Sequence, residues 1–330
     1  MIWSEPLSKW VHGLVVGKFL PPHRGHKYLI DTGRSQVERL TVMVCDRPEY
    51  GIPGFVRASW LREIHPDCDV VLIDDDLPDD DSFLWAQNTI RVLGKAPDVV
   101  FTSEDYGGPY SRFLGCDHVL VDRERMAVPC SGTVVRERPL ESLGFLEPCV
   151  RAFFVKRVCV LGAESTGTTT MARALAERYQ TSWVEEYGRE YWIEKLRRGE
   201  EGSWTAREFV HIAKEQLRRE DAAARDANRI LFCDTDAFAT SIWFERYLHE
   251  RSAEIEAIAA DRGYDLTFLT DIHIPFEQDG YRDGEHIRLA MHERFIERLG
   301  DEDRPFVLLE GPHEQRVEVA AQLVDRLLQP

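Results

Sequence analysis

Gly17-Lys18-Phe19-Leu20-Pro21-Pro22-His23-Arg24-Gly25-His26 is the stretch on which the fold of this 330-residue chain turns. It follows an apolar run, Leu14-Val15-Val16, and precedes a segment of helical spacing, so it reads as the turn between a buried strand and a helix. Two histidines three residues apart in such a turn fall on one helical face. Gly17 admits a tight strand-to-helix turn and a close approach of backbone to a ligand. The free N–H groups and positive end of the new helix favour phosphate. The passage predicts a triphosphate cradle in which Gly17, Phe19 and Gly25 shape the loop while Lys18, His23 and His26 carry the chemistry.

From residue 11 onward, short apolar runs at Leu14–Val16, Leu40–Val44, Val70–Ile73, Val99–Thr102 and His118–Val121 alternate with helical patterns. That is the layout of a parallel sheet wrapped by helices. Phe145-Leu146-Glu147-Pro148 closes this unit. After a short connector, Arg157-Val158-Cys159-Val160-Leu161 runs into Gly162 and opens a second α/β unit. Its later strands are expected at Ser182–Glu185, Ile230–Cys233, Leu266–Thr270 and Phe306–Leu309. Ile287, Met291, Phe295 and Leu299 repeat every four residues, as do Val317, Ala321 and Asp325 beside Ala320, Val324 and Leu328, which predicts amphipathic helices flanking the last strand. A chain about twice the usual domain length suits two domains. The expected pair is a Rossmann-like domain over 1–150 and a P-loop domain over 151–330.

A net charge of −17 argues against a nucleic-acid groove, which needs clustered Lys and Arg. The seven cysteines are scattered without a CxxC pair, as suits reduced thiols in the cytoplasm rather than disulfides or a zinc site. No signal pattern and no apolar run of roughly 18 residues is present, so no membrane partner is expected. The acidic stretch Asp74-Asp75-Asp76 to Asp79-Asp80-Asp81 is expected to be a solvated loop. Oligomeric state is left open, a homo-oligomer included.

A second phosphate motif is Ser131-Gly132-Thr133-Val134-Val135-Arg136. Ser131 and Thr133 supply hydroxyls at a helix start, and Arg136 stands one turn on, where its fork can grip phosphate oxygens. The third is Gly162-Ala163-Glu164-Ser165-Thr166-Gly167-Thr168-Thr169-Thr170, which has the GxxxxG spacing of a Walker A loop after a strand. The lysine expected at position 168 is threonine. Backbone N–H groups still cradle phosphate, and the Thr169 hydroxyl can still meet Mg²⁺. One well-placed transition-state donor is worth roughly 10²–10³ in rate, so the missing ammonium matters.

The opening decapeptide matches the GxFxPxHxGH signature of the nucleotidyltransferase superfamily, and residues 131–136 resemble its ISSTxxR element. Cys130 stands for the isoleucine and Gly132 for the second serine. Over the whole chain the resemblance narrows to NadR-type bifunctional proteins. It is carried by Val56-Arg57, Trp60 to Ile64, Phe83-Leu84-Trp85 and Val100 to Tyr106 in the first half. In the second half it is carried by Glu186-Tyr187-Gly188-Arg189-Glu190-Tyr191, Asp234-Thr235-Asp236 and Asp279-Gly280-Tyr281-Arg282. The resemblance implies that ATP and nicotinamide mononucleotide give NAD and pyrophosphate in the first domain, with Mg²⁺ on the leaving group. It implies that ATP phosphorylates nicotinamide riboside in the second.

In the first domain the resemblance adds Ser103 and Trp85 to the ligand set, Trp85 either stacking on the cationic nicotinamide ring or packing the core. In the second, Glu186 and Asp234 are expected to orient the ribose hydroxyl and Mg²⁺, with Thr170, Arg189, Asp236, Arg282 and Arg288 binding nucleotide. Asp236 has a helix cap as its plainer role. Two outcomes stand open for Thr168: Arg173, Arg282 or Arg288 replaces the lysine, or the domain binds nucleotide as a regulatory module without turnover. A different phosphorylated acceptor for the first domain also stays open. About ten residues precede the first strand, too few for the helix-turn-helix of repressor relatives, so no repressor role is expected.

Overall fold

Unbroken apolar runs build both sheets. Leu14, Val15, Val42, Val44, Val99, Val100 and Phe101 are fully buried, as strands covered by helices on both faces require. The computed structural model describes residues 9–200 and 202–329. Contacts divide the chain into two compact units, Met1–Arg151 and Ala152–Pro330. Residues 1–8, on which the expectation of no repressor domain rests, lie outside the described residues.

The first unit runs β1 (Trp10–Gly17), α1 (Arg24–Arg34), β2 (Val37–Asp46), α2 (Gly54–Ile64), β3 (Asp69–Asp74), α3 (Ser82–Leu93), β4 (Val99–Thr102), α4 (Gly107–Leu114), β5 (Asp117–Leu120) and α5 (Gly132–Glu137). Its five strands lie in the order β3-β2-β1-β4-β5, all parallel. The chain works outward from β1 to β3, then returns to place β4 on the other side of β1. Ligands of open parallel sheets sit at such a reversal, beyond the carboxyl ends of the strands. Those ends are Gly17 and Thr102, beside the histidine motif and Ser103. The connector expected after Pro148 is instead mostly a helix, α6 (Pro148–Phe154). Cys149 and Val150 are its buried anchors.

The second unit runs β6 (Lys156–Leu161), α7 (Thr168–Tyr179), β7 (Trp183–Val184), α8 (Tyr187–Arg197), α9 (Ala206–Ala224), β8 (Ile230–Asp234), α10 (Ala237–Leu248), α11 (Ala253–Ala260), β9 (Leu266–Thr270), α12 (Arg288–Asp301), β10 (Val307–Leu309) and α13 (His313–Leu327). Its sheet is again parallel, in the order β10-β9-β6-β8-β7. Central β6 delivers the chain into the loop at Gly162. All seven cysteines are free. Among the described residues no helix is long and apolar enough to cross a membrane.

Candidate functional site

In the first unit, Phe19 leaves β1 in the left-handed region (φ 46°) and packs its edge on His26, 5.0 Å between ring centroids. His23 lies just outside α1 as its N-cap, its Nδ1 accepting from the Gly25 N–H at 3.1 Å. That bond leaves the imidazole proton on Nε2. The two histidine rings stack 3.8 Å apart. A Cβ on Gly25 would come within 2.9 Å of the His23 ring, so only glycine permits this packing. Burial pulls His23 down to about 4, with the charges of Arg125 and Arg136 adding to it. Burial, then His23 and Arg125, holds His26 well below the usual histidine range. Both rings are therefore held neutral at pH 7, and His26 Nδ1 is buried without a partner.

Cations surround this pair. Arg136 donates to the Leu20 carbonyl at 2.5 Å and to the Thr133 hydroxyl at 3.2 Å. Ser131 caps α5, accepting from the Val134 N–H. A side chain at Gly132 would crowd the Leu20 carbonyl at 3.0 Å, which accounts for glycine where the motif has serine. Arg125 rides on a loop wound around Asp122, whose carboxylate accepts from the N–H groups of Met126, Ala127 and Val128 at 2.8, 3.1 and 3.2 Å. These bonds hold Asp122 below the usual carboxylate range. The Arg125 guanidinium makes no ion pair among the described residues. Lys18 pairs with Asp79 at 3.0 Å.

These groups line one cavity of about 640 Å³ together with Gly17, Trp85 and Ser103. Trp85 does two jobs: its Nε1 donates to the Pro78 carbonyl at 3.0 Å, and its ring borders both the cavity and the α3 core. The acidic stretch is largely the solvated loop expected, with Asp74, Asp76, Asp79 and Asp80 exposed, and Asp75 is its exception. Asp75 is buried against Arg47 and Tyr50, Asp79 bridges Lys18 and Arg47, and Asp81 caps α3.

In the second unit a Cβ on Gly162 would fall 2.2 Å from the Thr270 hydroxyl and 2.3 Å from that of Thr166. Glycine is therefore obligatory where β6 turns into the loop. Gly167 takes a φ of 86°, and α7 starts at Thr168. Thr169 donates to Asp234 Oδ2 at 2.5 Å, and the other carboxylate oxygen is buried with no partner. Burial raises Asp234 to about 6. Burial and the nearby Asp234 charge raise Glu186 to about 8.

A second cavity of about 180 Å³ brings together the loop residues Gly162, Gly167, Thr168, Thr169 and Thr170 with Glu186, Arg189 and Arg282. Arg189 pairs with Asp279. Three expectations need correction. Arg173 lies outward on α7 against Glu177, too far round the helix to replace a lysine. Asp236 caps α10, accepting from the Ala239 N–H at 2.9 Å, and is not part of the cavity wall. Arg288 is not in that wall either, so it is not the direct nucleotide ligand expected; it is buried, with its guanidinium on backbone carbonyls.

Residues 157–316 match the AAA domain family. The trifunctional NAD biosynthesis/regulator protein NadR of Escherichia coli (strain K12) is 29% identical, over 92% of this chain and 80% of that protein. Its counterpart in Salmonella typhimurium is 29% identical over 96% and 83%. The chain is similar to NadR along nearly its whole length. Crystal structures of NadR share the fold. One, in complex with NAD and AMP-PNP, has a TM-score of 0.76 at 24% identity, covering 98% of this chain and 97% of that one. Another, in complex with NR, has a TM-score of 0.78 at 23% identity, covering 97% and 96%.

Sequence reasoning missed two features of these cavities. Arg125 stands among like-looking charges, and its placement depends on backbone bonds to Asp122 that leave no pattern. The second cavity also holds Trp192, Trp204, Trp243 and Tyr247. Trp243 and Tyr247 at i, i+4 on one helix were the available signal.

Proposed function

We propose that the first unit is a Rossmann-like nucleotidyltransferase domain that joins AMP from ATP to nicotinamide mononucleotide, giving NAD and pyrophosphate. In the same proposal the second unit is a P-loop kinase that phosphorylates nicotinamide riboside with ATP. The observation that carries the reading is the stacked, neutral His23–His26 pair beneath Arg125 and Arg136 in a cavity large enough for a nucleotide. The similarity to NadR supports the substrates: those relatives are NAD biosynthesis proteins, and the similar crystal structures hold NAD with AMP-PNP, and NR. A cytoplasmic location, expected from the scattered cysteines, belongs to the same proposal.

The acceptor phosphate attacks the α-phosphorus in line, so no protein nucleophile is needed. The protein contributes alignment and donors aimed at oxygens that gain charge. His23 Nε2–H, fixed as donor by the Gly25 bond, and His26 offer N–H groups without the cost of buried charge. Lys18, Arg125 and Arg136 supply the positive field, Lys18 exchanging Asp79 for phosphate; Ser131 and Thr133 add hydroxyls. Trp85 takes the cationic ring on its face.

In the second unit, Trp192, Trp204, Trp243 and Tyr247 suit a pyridinium cation for the same reason. Glu186, held near the working pH, accepts the proton of the riboside hydroxyl. Thr169 and the unpartnered oxygen of Asp234 are the hard oxygen donors that would hold Mg²⁺, which when bound neutralises phosphate charge. Arg189 and Arg282 face the transferred group. The test is incubation with ATP, Mg²⁺ and nicotinamide mononucleotide while pyrophosphate is followed, beside phosphopantetheine and sugar phosphates as rival acceptors. Release with the mononucleotide is expected, and release only with a rival would overturn the assignment.

A further inference from the structure

Thr168 leaves the phosphate loop of the second unit without its ammonium, yet two guanidiniums lie directly behind that loop. Arg288, on α12, donates to the Ile274 carbonyl at 2.7 Å and to the Ser165 carbonyl at 2.9 Å. Arg316, on α13, donates to the carbonyls of Gly311 at 2.7 Å, Thr166 at 3.0 Å and Asp271 at 3.0 Å. They are 5% and 2% exposed. Every one of these acceptors is a backbone oxygen. Neither arginine makes an ion pair with a carboxylate among the described residues, and Arg288 Nε is buried with no partner.

The acids nearest by charge are Asp271 and Glu285. The Asp271 carboxylate is already engaged by the Ile272 N–H and by His273. Arginine keeps its proton even when buried, and buried charge without a counter-charge is costly. Two such charges on the carbonyls of a loop that lines a cavity call for an anion in that cavity. Their bonds also fix the carbonyls of Ser165 and Thr166, in a loop where Ser165 at φ 58° and Gly167 at φ 86° have the left-handed conformations from which anion-binding nests of N–H groups are built.

We propose that Arg288 and Arg316 together replace the missing lysine, as positioning residues: they place buried positive charge behind the loop and pin its carbonyls away from a polyphosphate. The inference rests on reading the second unit as a phosphate-binding P-loop, and it is independent of which nucleoside is phosphorylated.

The test is calorimetric titration of the full chain with tripolyphosphate, in a Lys18→Gln/Arg125→Gln/Arg136→Gln background that strips the first cradle of its cations. Arg288→Gln and Arg316→Gln should each weaken binding about tenfold or more. Arg316→Lys, which keeps the charge, should lose less than Arg316→Gln. Thr168→Lys should tighten the parent by less than about tenfold but restore the Arg316→Gln variant, because the ammonium then supplies what the guanidinium no longer does. Folded glutamine variants that bind as the parent does, equal gains from Thr168→Lys in every background, or a parent that binds no tripolyphosphate would each overturn the proposal. Should the glutamine variants not fold, Thr168→Lys alone decides: a gain above about tenfold contradicts the replacement. Intact tripolyphosphate binding without riboside phosphorylation would overturn the kinase reading and leave this inference standing.

Discussion

The two phosphate loops put their positive charge on opposite sides of the backbone. In the first unit Lys18, Arg125 and Arg136 share the cavity wall with the expected anion, and the histidines beneath them are neutral. In the second, Arg288 and Arg316 lie behind the loop on its carbonyls, while Arg189 and Arg282 at the cavity are tied to Asp279. A cation on the wall touches the reacting oxygens and can follow them into the transition state. A cation behind the floor acts through the field and through the shape of the loop. Removing the first kind should cost rate; removing the second should cost affinity.

The largest separation of the two units is expected from His26→Ala. It should lower pyrophosphate release with nicotinamide mononucleotide by about 10²–10³-fold and leave riboside phosphorylation unchanged. Asp234→Asn should do the reverse, cutting phosphorylation by about 10²-fold with adenylyl transfer intact. Parallel steady-state assays of both activities check the pair.

Arg125→Ala should lower kcat/KM for ATP in adenylyl transfer by about tenfold or more. Asp122→Asn should do the same more weakly, since it loosens the loop without removing the guanidinium. An Arg125→Ala protein with wild-type kinetics would remove that residue from the cradle.

The smallest effect is in pH dependence. Phosphorylation should climb as Asp234, raised to about 6, and Glu186, raised to about 8, lose their protons. Adenylyl transfer should hold down toward the range where His23, at about 4, takes one up. Stability follows the same signs. A histidine lowered from 6.5 to about 4 makes the fold lose stability as pH falls through that window. A glutamate raised from 4.5 to about 8 makes it lose stability as pH rises through its own. Thermal melts of the parent beside His23→Ala and Glu186→Gln would flatten one limb each.

Much of this contrast was legible in the sequence, and the parts that were not share one cause. Strands such as Val99–Thr102 and Leu266–Thr270 stand out because a parallel sheet buries both faces. The histidine cradle stands out because His23, Gly25 and His26 are constrained by one another over four residues. Within the acidic stretch only the burial of Asp75 was missed, because its partners Arg47 and Tyr50 lie 28 and 25 residues away. Arg316 looks like a polar position on an amphipathic helix until β6 and its loop fold against it from 150 residues away. The aromatic wall of the second cavity is assembled from α8, α10 and the segment before α9, and beyond the i, i+4 pair Trp243 and Tyr247 no local period marks it. Residues whose role is set by neighbours close in sequence were readable; those set by tertiary closure were not.

The account as a whole is tested most directly by giving the full chain nicotinamide riboside, ATP and Mg²⁺ alone and measuring NAD. The two proposed activities in series predict NAD formation, with one ADP and one pyrophosphate per NAD and nicotinamide mononucleotide appearing between them. A protein that forms no NAD from the riboside or from the mononucleotide would contradict the account.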